Sequence, residues 1–334
     1  VNLDPETPPE TPAPQPETAQ RDAPRSDAPR AETADSAEAH ANAELDPHAA
    51  DATPGADRPR RPVSFVRRGS RLQGRRKDAW AELSGDYLID VPRTGPDTSV
   101  DPGYVFDAEA AFGRKAELVV EIGSGLGEAI AHAAAENPDR NFLALEVYKP
   151  GLANTMLKIR ALGLTNVRVA QVNAPEALAT MLPEGSVQEV WVFFPDPWHK
   201  TKHRKRRLVQ PDLVPLVRRV LPTGGLWRLA TDWSDYAQQM RDVLDGASAF
   251  ENVHAGERTG SASPLTRVWR EGLENVAGVE ARAGSKAVKT ETARDETDER
   301  GGWAPRFEGR TLTSFESKAH SAGREIFDLT YRAL

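Results

Sequence analysis

The sequence predicts a doubly wound α/β fold, a mostly parallel sheet with helices on both faces. Three observations predict it. Strand-length apolar runs alternate with single helices from residue 117 onward, a glycine turn follows the first run, and the fourth run is apolar without a break from Val190 to Phe194.

The ordered rhythm begins only after an unusual lead. Residues 1–62 hold 12 of the 26 prolines and no aromatic side chain, and acids clearly outnumber bases there. Such a segment lacks the apolar surface to offset its ordering entropy, so residues 1–57 are expected to be a disordered acidic extension. That extension carries 13 acids and three bases, a net of −10, which leaves the remainder slightly basic within a chain of net charge −7. Residues 58–77 then carry nine arginines and lysines and no acid, with Phe65, Val66 and Leu72 for apolar anchoring. The rest, 78–334, is expected to form one catalytic domain.

Within it, Glu117 to Ile122 reads as a buried strand, followed by the turn Gly123-Ser124-Gly125-Leu126-Gly127 and a helix over 128–137. Further strands are expected at 141–147, 167–172, 187–194, 226–230 and 326–331. Helices are expected at 152–162, about 175–182, about 212–221 and 234 to about 244, with Gly163 and Pro222 as stops. Residues 274–304, polar and poor in hydrophobes, read as a mobile insertion. No cysteine is present, which excludes disulfides and thiolate metal sites and suits a reducing cytosol. No apolar run reaches about 18 residues, so nothing points to a membrane.

In doubly wound sheets ligands sit beyond the carboxyl ends of the strands. The G-x-G-x-G turn lets a ligand lie against backbone without Cβ interference, although glycine turns alone are weak evidence. Two details sharpen it. Glu121 stands just before the turn, where an acid would repel a pyrophosphate but suits a cation such as the ammonium of S-adenosylmethionine. Glu146 ends the second strand, placed to accept both ribose hydroxyls, a feature shared with nicotinamide enzymes.

The segment Phe193 to Lys200 (Phe-Phe-Pro-Asp-Pro-Trp-His-Lys) follows strand four directly. Prolines on both sides hold Asp196 in place, and Trp198 offers an aromatic face for a base. Lys200, Lys202, His203, Arg204, Lys205, Arg206 and Arg207 follow, six fixed cations within eight residues. Beside a presumed active centre, phosphate contact explains such a run better than plain solvation. His199 and His203 have a spacing that could hold a metal on a helix, but no third ligand is evident and no metal is expected.

Phe194-Pro195-Asp196-Pro197-Trp198-His199-Lys200 with its basic run resembles the signature of bacterial tRNA (guanine-N7)-methyltransferases. Ser64 to Arg68, Glu121 to Gly125, Ala230 to Trp233 and Thr313 to Glu316 resemble further blocks of that family, in the same order. The resemblance covers about Ser64 to Tyr331, apart from the insertion. It implies a class I S-adenosylmethionine-dependent methyltransferase fold, Rossmann-like, with seven strands, and a guanine in the tRNA variable loop (position 46) as target. It further implies that Glu121, Gly123, Gly125, Glu146, Asn173 and Asp196 hold the cofactor and that Asp196 is the catalytic carboxylate. Lys200, Asp232, Thr313, Ser314, Phe315 and Glu316 would meet the substrate. The family usually has Asp where this chain has Asn173; an amide oxygen still accepts from an adenine amino group, without the charge.

Three rivals are open on the sequence. An amino-methyltransferase would have Asn or Asp followed by Pro-Pro and an aromatic after strand four. An RNA-binding protein without activity leaves the glycine turn and its two acids unexplained. A nicotinamide dehydrogenase wants a different turn spacing and has no use for the cationic run. Monomer and homodimer are both open.

Overall fold

The computed structural model describes residues 71–273 and 296–334. The acidic extension, the first part of the basic segment and residues 274–295 lie outside the described residues.

Seven strands form one sheet: β1 (Leu118–Ile122), β2 (Asn141–Glu146), β3 (Val167–Gln171), β4 (Glu189–Phe193), β5 (Leu226–Thr231), β6 (Phe250–Asn252) and β7 (Phe327–Ala333). Their order is β3-β2-β1-β4-β5-β7-β6. The first five are parallel, and β7 runs antiparallel between β5 and β6. The chain leaves β1 towards β2 and β3, then returns to place β4 on β1's other side. That reversal opens a crevice beyond the ends of β1 and β4.

The helices are α1 (Gly74–Tyr87), α2 (Ala108–Phe112), α3 (Glu128–Glu136), α4 (Lys149–Ala161), α5 (Ala174–Glu176), α6 (Val214–Val220), α7 (Ser234–Asp245), α8 (Pro264–Glu271) and α9 (Ser314–Ser321). After α5 the chain continues as a π-turn over Ala177–Met181.

The mainly apolar strands divide their side chains between two cores, because successive residues point to opposite faces. Val120, Leu143, Leu145, Val190 and Val192 enter one core, with Trp227, Tyr236 and Leu329. Val119, Phe142, Ala144, Trp191 and Phe193 enter the other, against Ile130 of α3 and Leu152, Met156 and Ile159 of α4.

The expected strands are all present. The short edge strand β6 and helices α1, α2, α8 and α9 had not been anticipated. Residues 296–304, placed in the mobile insertion on composition, instead pack into the fold. Trp303 is fully buried, and Asp298 accepts hydrogen bonds from Arg241 (2.9 Å), Ser263 (2.8 Å) and Trp303 Nε1 (2.7 Å). A charged residue was read as solvent-facing because its partners lie far away in sequence.

Candidate active site

The turn after β1 has Gly123, Gly125 and Gly127 all at positive φ. Helix α4 crowds against it: a Cβ on Gly127 would meet Thr155 Oγ1 at 2.4 Å, and one on Gly151 would meet the Gly125 carbonyl oxygen at 2.3 Å. The turn is therefore braced from behind.

Two polar groups at this turn have unmet demands. Glu121 is only 3% exposed, and its Oε2 has no partner among the described residues, nor does Ser124 Oγ. Burial first, then the Glu146 charge, pushes the Glu121 carboxyl up to about 8. A buried carboxylate without a countercharge is costly, so the site favours a cation. Glu146 Oε2 accepts the Gly125 N–H at 2.8 Å, while Oε1 accepts those of Val147 (2.7 Å) and Tyr148 (2.9 Å). Burial raises its pKa too, the three N–H bonds oppose that, and the Asp196 charge adds to it. A carboxylate has about four acceptor positions, so one remains for a hydroxyl donor. Asn173 spends its amide N–H₂ on Glu176 (3.2 Å), which leaves its oxygen as the acceptor for an amino group. These donor sets fit the ammonium, ribose and adenine amino group of S-adenosylmethionine.

Asp196 rises from the end of β4 on a constrained loop. Phe194 (φ 51°) and Trp198 (φ 45°) both adopt left-handed backbone, a strain of about 1–3 kcal/mol each that is tolerated where surroundings enforce it. Arg207 supplies the enforcement. Its Nε donates to the Pro197 carbonyl at 2.8 Å, and its amino groups donate to Gln239 (2.8 Å) and Asp235 (2.5 Å) on α7. At 2% exposure, Arg207 is an internal strut, and the expectation that it grips RNA is corrected by that burial.

The remaining run forms a 3₁₀ turn over Thr201–Arg206. Lys200, Lys202 and Lys205 are exposed and His203 half-buried. Arg204 is tied to Asp235 at 3.1 Å, and Arg206 lies 4.8 Å over the Trp198 ring, so that ring carries a cation already. His199 stacks on Trp233 with centroids 4.1 Å apart. Burial, then the Arg324 charge, lowers its pKa.

The block 313–316 divides in two. Ser314 donates its N–H (2.7 Å) and hydroxyl (2.9 Å) to Glu128 at the start of α3. Phe315, 46% exposed, lies against Gly125, its ring 3.8 Å from where a Cβ would stand. These two gather at the cofactor turn. Thr313 caps α9, accepting the Glu316 N–H at 3.2 Å, a pairing that the T-x-x-E pattern could have signalled. Glu316 is fully buried and held by Arg306 (2.7 and 2.9 Å) and Arg310 (3.1 and 3.2 Å). Its side chain lies in the interior. Arg310 also reaches Asp328 at 2.5 Å, and its guanidinium lies 5.2 Å from the Phe193 ring and 5.4 Å from that of Phe194. Sequence reasoning missed Arg310, Arg306, Glu128 and Arg324. Only Glu128, at a helix start beside the turn, had a local signal.

Among the described residues no group of three or more His, Asp or Glu side chains is arranged for a metal, and no helix is long and apolar enough to cross a membrane.

Comparison with known proteins gives the family. A family model described as "Putative methyltransferase" matches residues 115–285. The tRNA (guanine-N(7)-)-methyltransferase of Paenarthrobacter aurescens is 63% identical over 275 residues, 81% of this chain and 91% of that protein. The chain belongs to the tRNA (guanine-N7)-methyltransferase family. The enzyme of that name from an Arthrobacter species is 64% identical over 277 residues, 82% of this chain and 87% of its own. That of Bifidobacterium longum is 44% identical over 297 residues, 87% and 96%. The protein is thus an S-adenosylmethionine-dependent tRNA (guanine-N7)-methyltransferase, and its seven-stranded sheet is the corresponding fold.

Proposed function

We propose that this methyltransferase modifies guanine 46 in the variable loop of tRNA in the cytoplasm, with Glu121 and Glu146 holding the cofactor and Asp196 serving the chemistry. The observation that carries the reading is the buried, cation-seeking Glu121 at the braced glycine turn, with Asp196 close enough to Glu146 for its charge to be felt there.

The bound cofactor supplies an electrophilic methyl group on a sulfonium. Guanine N7 already has an in-plane lone pair, so no base is needed: the N7–carbon bond forms as the carbon–sulfur bond breaks, and positive charge moves onto the guanine ring. The chain's task is alignment and electrostatics. Glu121 holds the ammonium end, Glu146 a ribose hydroxyl and Asn173 the adenine amino group. Asp196, fixed between prolines by Arg207, lowers the energy of the developing guaninium. Exposed Lys200, Lys202 and Lys205 meet phosphates, and extrusion of the base from its tertiary contacts precedes reaction.

The test is methyl transfer from labelled cofactor to a tRNA transcript and to its guanine-46-to-adenine counterpart. 7-Methylguanosine should form at position 46 in the first and be absent from the second. Equal methylation of both would overturn the positional assignment while leaving guanine-N7 chemistry intact.

A further inference from the structure

Asp196 and Asp232 leave neighbouring strand ends. Phe193 on β4 pairs with Ala230 on β5, and the Phe194 N–H donates to the Ala230 carbonyl at 2.8 Å. From β5, Asp232 therefore emerges beside the catalytic loop. It is not alone there: Arg324 Nη1 donates to Asp232 Oδ2 at 2.7 Å.

Arg324 comes from the far end of α9. Gly323 at φ 67° turns the chain, and the Arg324 N–H closes onto the Ala319 carbonyl at 2.9 Å. Its guanidinium lies 5.8 Å from the Trp233 ring, on which His199 also stacks. The two side chains keep 25% and 19% of their surface exposed, so the pair is reachable from solvent rather than enclosed in the core. Arg324 Nε, by contrast, is buried and has no acceptor among the described residues. A guanidinium offers five N–H donors in a rigid fork, so this one retains donors after binding Asp232.

We propose that Arg324 is a specificity-determining residue, which with Asp232 presents a donor beside an acceptor and so reads guanine against adenine. Guanine shows the acceptor O6 next to the donors N1–H and N2–H. Arg324 donates to O6 and Asp232 accepts from N1 and N2. Adenine reverses the order, a donor amino group next to the acceptor N1, and would set donor against guanidinium and lone pair against carboxylate. The alternative is that the ion pair only fastens α9 to the end of β5. The proposal rests on Asp232 belonging to the substrate side.

The two are separated by tRNA carrying guanine or 2-aminopurine at the target position; 2-aminopurine lacks O6 and N1–H but keeps N2. Competition for the enzyme, saturated with S-adenosylhomocysteine, gives the preference of wild type, Arg324→Ala and Arg324→Lys. Wild type should prefer guanine by about 10- to 100-fold, the discrimination expected of one good base contact. Arg324→Ala should lose the part of that preference due to O6 and keep the part that Asp232 reads at N1, and Arg324→Lys should recover some of the loss with a single donor, all three binding S-adenosylhomocysteine equally. An unchanged preference in Arg324→Ala, or none in wild type, overturns the proposal. Loss of cofactor binding in Arg324→Ala makes the pair a structural fastening, and likewise overturns it. If Asp232→Asn binds and methylates guanine tRNA like wild type, it is the placement of Asp232 that fails instead.

Discussion

The carboxyl groups of Glu121 and Glu146, at the ends of the paired strands β1 and β2, are close enough that the charge on Glu146 adds to burial in pushing the Glu121 carboxyl up to about 8. Two acids at one apolar strand end oppose each other's ionisation until a cation arrives.

A pH dependence follows. The Glu121 pKa is raised on folding, so its protonated form favours the folded, cofactor-free protein at low pH. That contribution is complete below the ordinary carboxylate range and is lost as pH rises through about 8. The Tm of the cofactor-free protein should therefore fall between about pH 5 and 8, and Glu121→Gln should flatten the fall. Cofactor binding, which needs the ionised form, should release protons at pH 7 in calorimetry across buffers of different ionisation enthalpy; Glu121→Gln should release fewer.

The basic run should separate into two kinds of residue. Lys202→Ala and Lys205→Ala should leave Tm unchanged and lower the slope of log tRNA affinity against log salt by about 0.7–0.9 for each lost contact. Arg207→Ala should do the opposite. Removing the strut from Pro197, Asp235 and Gln239 should cost about 1–3 kcal/mol of stability and slow methyl transfer, with the salt slope unaltered.

Arg310 joins three parts of the site: Glu316 on α9, Asp328 on β7, and the rings of Phe193 and Phe194. Arg310→Ala should destabilise by about 3–5 kcal/mol, because Asp328 would remain buried without its partner while Glu316 would keep only one arginine, Arg306. Chemical denaturation measures it.

How much of this was legible follows from how local each signal is. β1 to β5 were readable because short, mainly apolar runs carry their own evidence of burial, and the loop after β4 stood out because its prolines and basic neighbours adjoin one another. β6 has three residues, too few for a period. Arg207 was misread because five other fixed cations surround it in sequence, and nothing local says that Asp235 and Gln239 will bury it. Asp298 and Arg241 lie 57 residues apart, and Arg324 and Asp232 lie 92 apart. Such pairings exist only once the sheet has assembled. Charged residues that the fold buries thus look, in the sequence, like residues for solvent.

Residues 1–57, acidic and poor in large apolar side chains, are proposed to be dispensable. Their deletion should leave Tm and methylation of tRNA unchanged, whereas deletion through Lys77 should weaken tRNA binding by removing nine cations.

The role of Asp196 is the most direct test of the account. Single-turnover methylation at saturating cofactor and tRNA should slow by about 100- to 1,000-fold in Asp196→Asn, nearly as much as in Asp196→Ala, while cofactor affinity changes only modestly. That result would assign the effect to negative charge on the developing guaninium, because Asn keeps the size and part of the hydrogen bonding. Wild-type rates in both variants would remove Asp196 from the chemistry and leave alignment alone to explain catalysis.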